Sequence, residues 1–212
     1  FNGKDCSMMC VVDTSGSMTG SEASAPINVA ISLGMYCAER LNGPFKDNFI
    51  SFSRNPRLIK IEGVDFVDKV RRIYSQNLCE NTNLTGVFDL LKRTALQPGV
   101  NKDDLPETIV VISDMQIDSG ARVYCGNDWT YGRAVTEMEK VRADWAAAGL
   151  KMPKLVYWNV DARTNANILD ASPSVSYVSG FSPVIFKSVL TGKTGWDLCL
   201  EVLNSKRYEV IM

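Results

Sequence analysis

Two apolar runs constrain this chain more than any other feature. Residues 8–13 read "MMCVVD" and residues 107–114 read "ETIVVISD", and both runs end in aspartate. Neither alternates polar with apolar, so each reads as a strand buried on both faces, which requires a parallel sheet with helices packed on either side. The intervening segments supply those helices. Pro26 follows a capping Ser24, and Ile27, Ala30, Ile31, Gly34, Ala38 and Leu41 then share one helical face. Residues 49–52 and 58–61 read as strands joined by a turn at "RNP", a hairpin that places one antiparallel strand at the sheet edge.

Helical periodicity covers residues 66–74, and again residues 84–96, where Val87, Leu90 and Leu91 face inward. A long helix over residues 132–148 precedes a third apolar strand at 154–160 and a fourth at 175–180. Ser182 and Pro183 open a helix through Leu190, and residues 196–203 form the last one. Strand and helix therefore alternate over most of 212 residues, a length suited to one domain. The expected class is α/β, a doubly wound and mainly parallel sheet with one antiparallel edge strand and helices on both faces. Phe1 stands where a Met would begin a chain, close before the first strand, and the sequence reads as a domain of a longer protein.

Composition narrows the chemistry. The chain has no histidine, hence neither the commonest general base nor the commonest zinc ligand. Cys6, Cys10, Cys37, Cys79, Cys125 and Cys199 form no C-x-x-C pair and read as reduced thiols of a cytoplasmic protein. A net charge of -1 gives no general attraction to nucleic acid or anionic membrane. Lys69, Arg71 and Arg72 read as the solvated face of a helix. No apolar run approaches a membrane span or a signal peptide.

Ligands of doubly wound sheets bind at the carboxyl ends of the strands. Asp13 and Asp114 both stand at such ends, and "DTSGS" hangs two further hydroxyls, Ser15 and Ser17, over the first. The set is entirely hard oxygen, which suits Mg²⁺, with Ca²⁺ or Mn²⁺ as alternatives. Two aspartates roughly neutralise one divalent ion. Alcohol ligands add no charge, so an ion held partly through water stays ready to accept an anion from outside.

These residues resemble the D-x-S-x-S motif of the von Willebrand factor A (vWA) fold, whose metal-ion-dependent adhesion site adds a distant Thr and a distant Asp. Asp13, Ser15 and Ser17 match the motif itself. The resemblance implies Thr82, in "ENTNLTGVFDLL", as the third hydroxyl ligand, with Thr85 its competitor, and Asp114 as the last aspartate. Asn81 and Asp118 are outer-shell candidates. Met115 stands where the family usually has glycine after the last aspartate, and Glu80 and Asn81 replace its usual glycine pair before the threonine. "YWNVDARTNANILDASPSVSYVSGFSP" is similar to the C-terminal vWA-like domain of a family found in plants, fungi, bacteria and phages. Ro (TROVE) proteins share the general plan of a helical RNA-binding part followed by a vWA domain.

The resemblance implies a non-enzymatic, protein-binding domain whose Mg²⁺ accepts an Asp or Glu carboxylate from a partner protein. RNA would be met only indirectly, through an upstream domain. Two alternatives stand beside it. One is a structural module in a Ro-like, RNA-associated particle. The other is a Mg²⁺-dependent phosphatase of the haloacid-dehalogenase kind, which needs a second Asp where Ser15 stands. Asn83, Leu84 and Thr85 spell a glycosylation acceptor, but a sugar there would sit on the threonine loop, which favours chance occurrence.

Overall fold

The computed structural model describes residues 7–20, 25–53, 55–76, 83–114, 132–161, 175–180, 189 and 195–207. Its strands are β1 (Met8–Val12), β2 (Asn48–Ser51), β3 (Leu58–Lys60), β4 (Thr108–Ser113), β5 (Lys154–Asn159) and β6 (Val175–Ser179). The helices are α1 (Pro26–Ala38), α2 (Phe66–Tyr74), α3 (Leu84–Ala95), α4 (Gly132–Ala147) and α5 (Gly195–Leu203). All six strands join one sheet in the order β3-β2-β1-β4-β5-β6. Every pairing is parallel except β2 with β3, the expected antiparallel edge.

The strands sort their side chains by strict alternation. Met8, Cys10 and Val12 of β1, Val110 and Ile112 of β4, and Val156 and Trp158 of β5 bury against α1 and Ile73 of α2. Met9 and Val11, Ile109 and Val111, and Leu155 and Tyr157 bury on the opposite face against α3 and α4, where Phe88 and Trp145 meet edge to face. Both faces of the central strands are therefore dry, the physical reason that β1 and the middle of β4, Ile109 to Ile112, are apolar.

Sequence and structure differ mainly at element ends. The strand expected over 49–52 occupies Asn48–Ser51, and those expected over 107–114 and 154–160 are Thr108–Ser113 and Lys154–Asn159. Asp65 caps α2 by accepting from the Asp68 amide at 2.8 Å, and Asn83 caps α3 by accepting from the Gly86 amide at 2.9 Å. Helix α1 begins with Pro26 after Ala25, which offers no side-chain cap, while Ser24 lies outside the described residues. The helix expected over 182–190 also lies outside them, apart from position 189. Short 3₁₀ turns at Gly16–Met18, Gly43–Phe45 and Lys102–Asp104 were not expected, since three residues leave no periodicity to read.

Lys69 and Arg72 spend their charge locally, on Glu39 at 2.9 Å and Asp68 at 3.0 Å, as a solvated helix face does. Cys10 and Cys37 are buried and Cys199 is exposed, none of the three in a disulfide; the other three cysteines lie outside the described residues. No described helix is long and apolar enough to cross a membrane.

Helix α1 lies close on β1 because Gly34 faces Val12. A Cβ at Gly34 would come within 2.8 Å of Val12 Cγ2, and a buried β-branched side chain has little χ1 freedom with which to retreat. Overpacking then outweighs the gain in helix propensity. Gly34→Ala should lose about 1–3 kcal/mol in urea unfolding, whereas a gain would show that the two elements separate freely.

Candidate functional site

The β1–β4 pairing places the two aspartates side by side at the carboxyl edge of the sheet. Val12 lies opposite Ile112, and the Asp13 amide donates to the Ile112 carbonyl at 3.0 Å. Asp13 and Asp114 follow directly on their strands and are each only 1% exposed. In the strand order seen here this edge, between β1 and β4, is the point at which the sheet reverses its winding, the place where ligands of doubly wound sheets bind.

Both oxygens of Asp13 are held. Oδ1 accepts the Ser15 amide at 2.9 Å, an Asx turn that bends the chain into the 3₁₀ turn, and Oδ2 accepts the Ser113 hydroxyl at 2.5 Å. The turn brings the Ser15 and Ser17 hydroxyl oxygens within 3.1 Å of one another, both on the solvent side. Met18, the last residue of that turn, is fully buried, and its Sδ accepts the Asp114 amide at 3.0 Å. Strand β4 thus grips the carboxylate of β1, and the loop after β1 grips the backbone of β4.

Burial pushes the Asp13 carboxyl above the ordinary carboxylate range, hydrogen bonds from Ser113 and Ser15 pull it back, and the charge of Asp114 raises it further. The fold therefore holds a carboxylate where ionisation is disfavoured, a condition that a neighbouring cation relieves. The donor set fits such an ion. An octahedral Mg²⁺ with oxygens at about 2.1 Å has adjacent oxygens about 3.0 Å apart, close to the 3.1 Å between the two serine hydroxyls. Among the described residues no three of His, Cys, Asp and Glu cluster for a metal, so a cation here would depend on alcohol oxygens.

Asp13, Ser15, Ser17 and Asp114 are brought together. Thr82 lies outside the described residues, as do Glu80, Asn81, Met115 and Asp118. Thr85 sits half-buried in the first turn of α3. The threonine loop rejoins the described structure at Asn83, whose amide donates to the Ser53 carbonyl at 3.3 Å; Phe52, next to Ser53, donates to the Val12 carbonyl at 2.9 Å. The end of that loop is thereby moored beside β1. Asn83 itself serves as the α3 cap.

Sequence reasoning missed Ser113, Met18 and Ser53. For Ser113 a signal existed: a hydroxyl that directly follows four apolar residues of a buried strand has to find a partner. At the neighbouring edge Trp158 packs in the core, and its indole N–H donates to the Gly180 carbonyl, tying the ends of β5 and β6 together. This gives the "WN" and "SG" segments a structural role.

Residues 7–207 match the family model described as a domain of unknown function, DUF7788. The chain belongs to the DUF7788 family. It is also 29% identical over 186 residues to the uncharacterized protein L728 of Acanthamoeba polyphaga mimivirus, covering 86% of this chain and 30% of that protein. Among solved structures it resembles the Ro (RSR) protein of Deinococcus radiodurans, with a TM-score of 0.54 and 18% identity over 90% of this chain and 35% of the other. A weaker likeness, with a TM-score of 0.43 and 14% identity, joins 87% of it to 45% of proximal thread matrix protein 1 from the mussel byssus. The chain thus spans about a third of the mimivirus and Ro proteins. Its fold is a vWA-like α/β domain.

The direction of the Asp13 shift has a testable consequence. A carboxyl whose folded pKa lies above its unfolded one favours folding most when protonated; that contribution is lost as pH rises through the raised value. Asp13→Asn removes the charge, while its amide can donate to the Ser113 oxygen. With a chelator present, the stability of Asp13→Asn relative to wild type should increase as pH rises from about 4 to 7, as read from urea midpoints. A variant that loses stability relative to wild type over that interval contradicts the assignment.

Proposed function

We propose that this domain binds a partner protein through a divalent cation, in the manner of a metal-ion-dependent adhesion site. Ser15, Ser17 and Thr82 would hold Mg²⁺, with Asp13 and Asp114 coordinating directly or through water, and an Asp or Glu of the partner would complete the octahedron. Ca²⁺ or Mn²⁺ would suit the same oxygens. Carrying this reading is one observation: two hydroxyl oxygens 3.1 Å apart beside two buried carboxylates at the reversal point of the sheet. When bound, the ion supplies a positive charge with an open corner. The chain's own residues fix where that corner faces, and the buried edge beneath keeps water from competing inside.

The reading is non-enzymatic. The chain has no histidine to serve as general base. Both oxygens of Asp13 accept hydrogen bonds, an arrangement suited to a fixed ligand rather than to a nucleophile. Ser15 occupies the place where a phosphatase of the aspartate-nucleophile type needs its acid, and a hydroxyl does not protonate a leaving group as a carboxylic acid does. On this reading the domain works in the cytoplasm, without contacting a membrane, and meets RNA only through other parts of a longer protein. A purely structural role in a Ro-like particle remains the competing reading, and partner binding that survives a chelator would favour it.

The test is a Mg²⁺ titration followed by unfolding. An ion that binds only the folded state at one hundred times its Kd adds about 2.7 kcal/mol. Wild type should show a gain of that order, and a Ser15→Ala, Ser17→Ala double variant should fold normally yet show almost none. Equal gains in both proteins would contradict the proposed site.

A further inference from the structure

Asp13 offers a cation less freedom than an ordinary surface carboxylate does. Its two oxygens are held from opposite sides, Oδ1 by the amide of its own loop at 2.9 Å and Oδ2 by the Ser113 hydroxyl at 2.5 Å. The second distance is that of a charge-assisted bond between a hydroxyl and a carboxylate. Ser113 is itself held by its strand. It is fully buried at the end of β4, between β1 and β5, paired with Asn159, and its carbonyl accepts the Val160 amide at 3.0 Å.

A cation chelated by one carboxylate needs both oxygens turned toward it together. Here Oδ2 is turned into the sheet, so Asp13 offers a cation one oxygen at a time or a bridging water. That restriction affects the candidate ions differently. Ca²⁺ takes six to eight oxygens and often gathers them through bidentate carboxylates, whereas Mg²⁺ takes six in a rigid octahedron and keeps waters.

We infer that Ser113 is a specificity-determining residue: by holding Asp13 Oδ2 inside the sheet, it keeps that carboxylate from chelating through both oxygens and so favours Mg²⁺ over Ca²⁺. The inference rests on the metal-binding reading above. Loss of the hydroxyl frees Asp13 to turn, which adds a ligand for the larger ion and misplaces one for the smaller. Removing a single oxygen leaves the packing volume almost unchanged but strips Asp13 Oδ2 of its partner, so Ser113→Ala should keep the fold at reduced stability.

Calorimetric titration with MgCl₂ and with CaCl₂ tests this on wild type, Ser113→Ala and Ser113→Thr. Groups that orient a metal ligand typically alter affinity 10–100-fold, so the ratio of Mg²⁺ to Ca²⁺ affinity should fall at least about tenfold in Ser113→Ala. It should return toward the wild-type value in Ser113→Thr, which restores the hydroxyl. An unchanged ratio, or equal weakening for both ions as general loosening would give, overturns the role of Ser113 and leaves the metal site standing. A wild-type protein that takes up no Mg²⁺ overturns both.

Discussion

The pairing of β1 with β4 is the constraint on which the rest of this molecule depends. Five residue pairs, from Met8 with Thr108 to Val12 with Ile112, fix the register. A slip of one residue would turn every side chain of β1 to the other face and separate Asp13 from Ser113. Because both faces of these strands are covered, such a slip would also exchange two sets of core residues, Met8, Cys10 and Val12 for Met9 and Val11. The packing that stabilises the sheet is thus the packing that aligns its acidic tips. Cross-bracing by Ser113 and Met18 then ties the loop after β1 to the end of β4.

Much of this was legible in the sequence, for reasons that particular residues make plain. The β1 and β4 runs were readable because strands covered on both faces tolerate little but apolar side chains. Helix α2 was readable to the residue because its apolar positions repeat at helical spacing; the Asp65 cap emerged only in the structure. Asp13 and Asp114 were recognisable as a pair because polar residues that end buried strands stand out. What could not be read were contacts joining residues far apart in the chain. Ser113 and Asp13 are 100 positions apart and Asp114 and Met18 are 96 apart, and a buried hydroxyl or thioether carries no local mark of its partner. The short 3₁₀ turns were missed because a single turn has no period.

The edge of the sheet combines two properties that ordinarily conflict. Burial makes the Asp13 charge unfavourable, and Asp114 beside it adds to that cost. On the adhesion-type reading, that cost is stability traded for readiness to bind. Membership of the DUF7788 family and the likeness to Ro define the vWA-like frame. The adhesion-type reading is drawn from the oxygens at the carboxyl edge of that frame.

The most direct measurement is an anomalous difference map from crystals of this chain grown with Mn²⁺, which takes the same oxygen ligands as Mg²⁺ and scatters anomalously. The account predicts a single strong peak within about 2.3 Å of the Ser15 and Ser17 hydroxyl oxygens, on the side of Asp13 and Asp114. A map with no peak there, or with its strongest peak elsewhere on the domain, contradicts it.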